Sequence, residues 1–286
     1  MNSISFMTMD MFVTGIVQGL VLSLLSYAVM IPFRLLNLPD VSVEGAYPLA
    51  GAVCATLLVT SGVHPVMAIL AAALCTGIMG IVVSVVIERL NVNSLLAGII
   101  MSTMAYSVTL RIMGKPNLAL NAVTTLFTHS AVHNCLVLLA IVGSMALGLY
   151  LFLITEVGLR LRAVGYNHAF ARKQSISIFA YTLCGLCISG LFTGVAASCM
   201  VQLQRYMDIN MGIGMVIHAL ASLMIGEALV GNTTLFRQLL APIAGALIYQ
   251  QIQGIAFSCG LMPSDLKLFT GVLVLVIIAV NRRNIN

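Results

Sequence analysis

The chain has 286 residues, of which 60% are hydrophobic and only 7% are charged, and its mean hydropathy is +1.09. A water-soluble domain carries about 25% charged residues to wet its surface, so this composition excludes a soluble globule. The formal net charge of +5 comes from 13 Lys and Arg scattered between apolar runs, which marks membrane topology and not a nucleic-acid surface.

Taken in order, the apolar runs predict nine transmembrane helices. They lie near 12–31, 46–60, 66–87, 94–112, 135–155, 177–200, 211–230, 239–257 and 268–280. Most approach the roughly 20 residues needed to cross the hydrocarbon core. They are rich in Gly, Ala, Ser and Leu without strand-like alternation, which argues for helices and against an outer-membrane barrel. The first run follows Asp10 with no preceding Lys or Arg, so it reads as a retained helix and not a cleaved signal. The second and seventh are short, Gly- or Pro-containing and preceded by polar stretches. The fold class is therefore all-α: a polytopic bundle of about nine spans in one transmembrane domain.

Basic residues orient the bundle. Arg160, Arg162, Arg172 and Lys173 follow the fifth span, which places that loop in the cytoplasm. Alternation then puts Arg34, Arg89, Arg237, Arg282 and Arg283 on the same side. Only Arg111, Lys115, Arg205 and Lys267 fall outside. The N-terminus is external and the C-terminus cytoplasmic.

Two segments echo each other: Asp40-Val-Ser-Val-Glu44-Gly45-Ala-Tyr-Pro48 after the first span, and Asp208-Ile-Asn-Met-Gly212-Ile-Gly214 after the sixth. Five spans separate them, so they run oppositely through the membrane, as in an inverted repeat with interrupted second and seventh helices. Two ordinary Asp-capped helix starts account for the same residues. Asp40 and Glu44 would share one face if helical, and with Glu227 and His218 they could form a proton relay, but capping, pairing with Arg34 or Arg237, and interfacial placement are cheaper explanations.

After the fifth span, Gly165 permits a turn, Asn167 can cap, and His168 to Gln174 can form two helical turns carrying Phe170 among basic residues. Such a helix is either a docking knob for a cytosolic protein or an interfacial helix on anionic lipid. No phosphate-binding Gly-x-x-x-x-Gly-Lys-Ser/Thr loop is present, because Gly114-Lys115 runs into Pro116. Seven cysteines lie mostly in apolar runs, and Cys184-x-x-Cys187 reads as helix packing. His129-x-x-x-His133 sits in a predicted external loop without nearby acids or thiols, so no metal is expected there.

The stretch Gly158, Arg162, Ala163, Gly165, Asn167, Ala171 and Arg172 resembles the coupling loop of ABC-importer permeases of the branched-chain amino acid and sugar type. Phe33–Gly45, Met211–Glu227 and Gly260–Leu268 resemble the tryptophan-type amino-acid permeases more narrowly. The resemblance implies that Arg162, Gly165, Asn167, His168, Phe170, Arg172 and Lys173 couple to an ATPase. It also implies that the second and seventh helices line a translocation path, with Asn37, Asp40, Glu44, Tyr47, Asn210, Met211, Met215 and His218 as its expected residues. Tyr166, His168 and Lys173-Gln174 depart from the loop pattern. The implied protein is a bacterial inner-membrane permease, not an enzyme, with repeats over about 12–155 and 177–281 around a coupling loop at 156–176. Its implied partners are a cytosolic ABC ATPase dimer, a second and identical permease copy, an external solute-binding protein and membrane lipid. No cofactor is expected in the chain, ATP and Mg being bound by the ATPase. An ion-coupled secondary transporter is the alternative.

Overall fold

A computed structural model of the chain describes residues 2–120, 123–128 and 130–258, together with isolated helical residues at 268, 271, 272 and 275. The elements run α1 (Asn2–Met30), α2 (Ser42–Ser61), α3 (Pro65–Arg89), α4 (Ser94–Met113), β1 (Asn117–Ala119), α5 (Ala131–Ile154), α6 (Glu156–Tyr166), α7 (His168–Lys173), α8 (Ile178–Gln204), β2 (Tyr206–Asp208), α9 (Met215–Val230) and α10 (Leu235–Ser258). Eight helices among the described residues are long and apolar enough to cross a membrane. The protein is a polytopic all-α membrane bundle. The ninth expected span, the Gly260–Leu268 motif, and Lys267, Arg282 and Arg283 lie outside the described residues, but for the isolated positions above.

Several boundaries move for identifiable reasons. α1 begins at Asn2 and ends in a π-helical turn, Ile31–Leu35, with Pro32 near its start. The irregularity expected in the second span falls ahead of it, at 36–41, and α2 runs unbroken through Pro48. In the seventh span a 3₁₀ turn, Ile209–Gly212, precedes α9, and the chain breaks between them at Gly214 with φ +84°. That left-handed backbone is open to glycine without a Cβ clash. His133 is part of α5 and not of a loop; His129 lies outside the described residues.

The chain forms two compact units that interleave in sequence: Tyr27–Phe127 with Leu147–Val216, and Met1–Ser26 with Thr128–Ala146 and Ile217–Asn286. In the first of these, α3 and α8 make the most extensive helix pairing. Small residues allow it: a Cβ on Gly190 would strike the Thr76 carbonyl, and one on Gly80 the Leu186 carbonyl. Close backbone approach of this kind drives helix association where lipid removes the hydrophobic advantage of burial. The Cys187 backbone lies at this same approach. Hydroxyls bond to backbone, Ser189 Oγ donating to Ala28 O at 2.6 Å and Thr193 Oγ1 to Ser189 O at 2.9 Å.

A short antiparallel ribbon joins β1 to β2, pairing Asn117 with Asp208, Leu118 with Met207 and Ala119 with Tyr206. Gln202, fully buried, secures the neighbouring loop. Its Oε1 accepts from Leu126 N at 3.0 Å and its Nε2 donates to Pro65 O at 3.3 Å.

The other unit packs by the same rules. Cβ atoms on Gly226 and Gly245 would meet the Ala241 and Ser222 carbonyls. Its interior polar groups are paired: the Ser26 and Ser222 hydroxyls bond each other, and Gln250 Nε2 donates to Gln18 Oε1 at 2.6 Å.

Candidate functional site: a cleft with one carboxylate and an exposed short helix

The two echoing segments meet. A Cβ on Gly212 would collide with the Glu44 carbonyl and with Pro48 Cδ, so the 3₁₀ turn lies directly on the first two turns of α2. The Gly214 N–H donates to Glu44 Oε1 across 170 positions of sequence. Asp208 also caps, as the plainer reading allowed, whereas Asp40 sits one residue ahead of the α2 N-cap position, Val41, and bonds Ser42 from there. Asp40 Oδ1 accepts from Ser42 N and Oδ2 from Ser42 Oγ, each at 2.8 Å, and Asp208 Oδ1 accepts from Asn210 N at 2.6 Å. Asp40 is 2% exposed; burial pushes its carboxyl above the ordinary carboxylate range, while the two Ser42 bonds pull it back. Asp40 and Glu44 do not share a helical face, because α2 starts after Asp40, at Ser42.

Beside this junction lies a cleft of about 270 Å³ formed by α2, α4 and the 209–213 segment. Glu44, Gly45 and Pro48 form one wall, Ser102, Thr103 and Tyr106 the second, and Ile209, Asn210, Gly212 and Ile213 the third. α4 comes this close to α2 because Gly45 lies against the Ser102 backbone and Gly98 against the Val41 and Ser42 amides. Ser102 Oγ spans both helices, donating toward Gly98 O at 2.8 Å and Val41 O at 3.1 Å.

Of the eight residues expected on the path, Glu44 and Asn210 line this cleft. Asn37 is exposed on the link before α2 with φ +54°, Tyr47 is 2% exposed in the core, and Met211 and Met215 are half-buried outside the lining. His218 belongs to the other unit, where its Nδ1 bonds the Tyr249 hydroxyl and Gln253 Nε2 donates to that hydroxyl at 2.8 Å. Sequence reasoning passed over Ser102, Thr103 and Tyr106. Their one signal was hydroxyls at positions i, i+1 and i+4 of an otherwise apolar span.

The second candidate region is 156–174. Thr155 caps α6, its Oγ1 accepting from Gly158 N at 3.4 Å, and Asn167 caps α7, its Oδ1 accepting from Phe170 N at 3.1 Å. Gly165 does not turn the chain. It lies inside α6, where a Cβ would strike the Leu35 carbonyl, and so lets α6 rest on the chain leaving α1. Arg162 Nη2 donates back to Leu153 O at 3.3 Å. Ala171 is fully buried with Val164 and Ile178, which anchors α7 by one side. The other side is open: His168, Arg172 and Lys173 are exposed, Phe170 is 53% exposed, and Tyr166 before them is 93% exposed. Of the seven residues expected to couple, four therefore project from the surface, while Arg162, Gly165 and Asn167 shape and hold the helices behind them.

Among the described residues no group of three His, Cys, Asp or Glu could hold a metal ion.

A multi-span helical bundle with a small, mostly apolar cleft carrying one carboxylate within its spans fits a membrane permease. The family of branched-chain amino acid transport system permease components matches residues 11–280, and the chain belongs to it. It is 34% identical over 278 residues to the tyrosine transport system permease protein of Clostridioides difficile (strain R20291), covering 97% of this chain and 94% of that one. An uncharacterized protein of Rickettsia prowazekii (strain Madrid E) is 29% identical over 273 residues, or 94% and 96% of the two chains. No solved structure matches.

Proposed function

We propose that this transporter subunit is the membrane-spanning part of an ABC importer in a bacterial inner membrane, carrying an amino acid, with tyrosine the first substrate to test. The observation that carries the reading is α7: a short capped helix anchored by buried Ala171, following an α6 that Gly165 seats against Leu35, and presenting Phe170, Arg172 and Lys173 outward. A cytosolic ATPase dimer, binding ATP and Mg in its own sites, would seat α7 and turn its closure into movement of α6 and the helices behind. Two identical copies of the chain would enclose the path, the repeats at 12–155 and 177–281 would flank it, and an external binding protein would deliver substrate. The chain itself would make and break no covalent bond. Tyrosine is suggested by the Clostridioides difficile relative, whose name states that substrate.

The test is co-purification in mild detergent together with uptake in reconstituted vesicles. The wild type is expected to bring down an ATPase and to import tyrosine with ATP. Phe170→Ala with Arg172→Glu is expected to abolish co-purification without altering the thermal unfolding midpoint, because both side chains are exposed. A wild type that retains no ATPase, or a variant that retains it undiminished, would sink the reading.

A further inference from the structure

We infer that Glu44 recognises the ammonium group of the transported solute and is the residue that makes the cleft selective for amines; this rests on the permease reading above. The cleft has one carboxylate and no basic side chain in its lining. Two of its three hydroxyls are spent as donors: Ser102 Oγ gives its proton to backbone carbonyls of Gly98 or Val41, and Thr103 Oγ1 to Ile100 O at 2.8 Å. What they turn toward a ligand is lone pairs. Glu44 Oε1 takes the Gly214 N–H, and Oε2 makes no hydrogen bond among the described residues. The few polar atoms of this otherwise apolar inner wall are therefore acceptors, which suits a cation with several N–H bonds and repels a bare carboxylate.

The rest of the cleft sets the size and character of the ligand. Pro48 and Ile213 supply apolar surface, and the exposed Asn210 and Tyr106 keep donors for a second polar group of the ligand. About 270 Å³ is just below the range of drug-sized pockets and suits a single amino acid. Glu44 also ties the ligand to the protein's own geometry. The carboxylate that would meet the ammonium is the one holding Gly214, at the break before α9, so an occupied cleft and the position of the 209–214 segment share one group.

The experiment uses the complete transporter in lipid nanodiscs without its binding protein, and three probes: tyrosine, tyramine (amine without carboxylate) and desaminotyrosine (carboxylate without amine). Equilibrium binding to the wild type is expected for tyrosine and tyramine and not for desaminotyrosine. Glu44→Gln, which keeps size and hydrogen bonding but removes charge, is expected to weaken both amines by about ten- to a hundredfold. Glu44→Asp is expected to restore part of that loss. Desaminotyrosine binding the wild type as well as tyramine overturns the inference with no variant involved, as does Glu44→Gln binding tyramine unchanged. Tyrosine import by the wild type, measured separately in reconstituted vesicles with ATP and the binding protein, separates the two levels. If import fails, the substrate reading falls; if import succeeds while Glu44→Gln binds tyrosine unchanged, only the role of Glu44 falls.

Discussion

α8 and α5 are helices of similar length and apolar composition, yet they occupy opposite environments. In α8, 72% of the most apolar stretch is buried; in α5, the more apolar of the two, only 22% is. A soluble protein would show the reverse ranking. The inside of this molecule is built from small residues and paired polar groups: Gly190 and Gly194 against α3, Ser189 on a carbonyl, Gln202 bridging a loop. The outside of α5 is leucine, with Leu136, Leu139, Leu147 and Leu151 all half or more exposed. Lipid accepts such a face without cost, so in a membrane it is shape and hydrogen bonding that decide which side of a helix turns inward.

The sharpest way to break this contrast is one substitution made on both helices. Gly190→Ala places a methyl group where the Thr76 carbonyl already is, backbone against backbone, with no flexible side chain to yield. Overpacking of that kind costs about 1–3 kcal/mol or more. At about 2–4 °C per kcal/mol for a chain of this size, the thermal unfolding midpoint in detergent should fall by several degrees. Gly190→Leu is expected to yield no folded protein at all. A midpoint unchanged in Gly190→Ala would mean that α3 and α8 are not in backbone contact.

The next effect is polar. Gln202→Ala removes the acceptor for Leu126 N and the donor to Pro65 O at a position with no solvent access. Leaving such groups unpaired costs about 1–3 kcal/mol, and the loss should be local. Amide exchange at 123–127 is expected to rise while exchange in the middle of α8 stays protected. Uniform loss of protection along α8 would show that Gln202 holds the helix and not the loop.

These same features mark what the amino-acid sequence could reveal. The spans were legible because runs of apolar residues near 20 long have one use, and the α7 cap was legible because Asn167 stands just before an amphipathic turn. α6 was not, since Gly165 read as permitting a turn; in a membrane protein it is a point where a helix touches backbone, at Leu35. Ser102 and Thr103 were passed over because a hydroxyl that bonds to backbone carbonyls leaves no mark on hydropathy. Three-residue strands carry too little pattern for β1 and β2 to be seen. The echo of Asp40–Pro48 and Asp208–Gly214 was visible, but that Glu44 holds Gly214 depends on a packing no local pattern encodes.

The smallest effect tests the outer face. A Cβ on Gly148 of α5 meets nothing within 4 Å, so Gly148→Ala adds a methyl group to open space while removing backbone freedom from the unfolded chain. Within a helix that exchange favours the folded state by about 0.5–1 kcal/mol. The substitution that weakens the protein at Gly190 should therefore raise the unfolding midpoint slightly at Gly148. The opposite sign would carry its own information. A lowered midpoint in the assembled transporter, absent from the isolated chain, would place another protein surface against Gly148, and lipid would no longer be the neighbour of that part of α5.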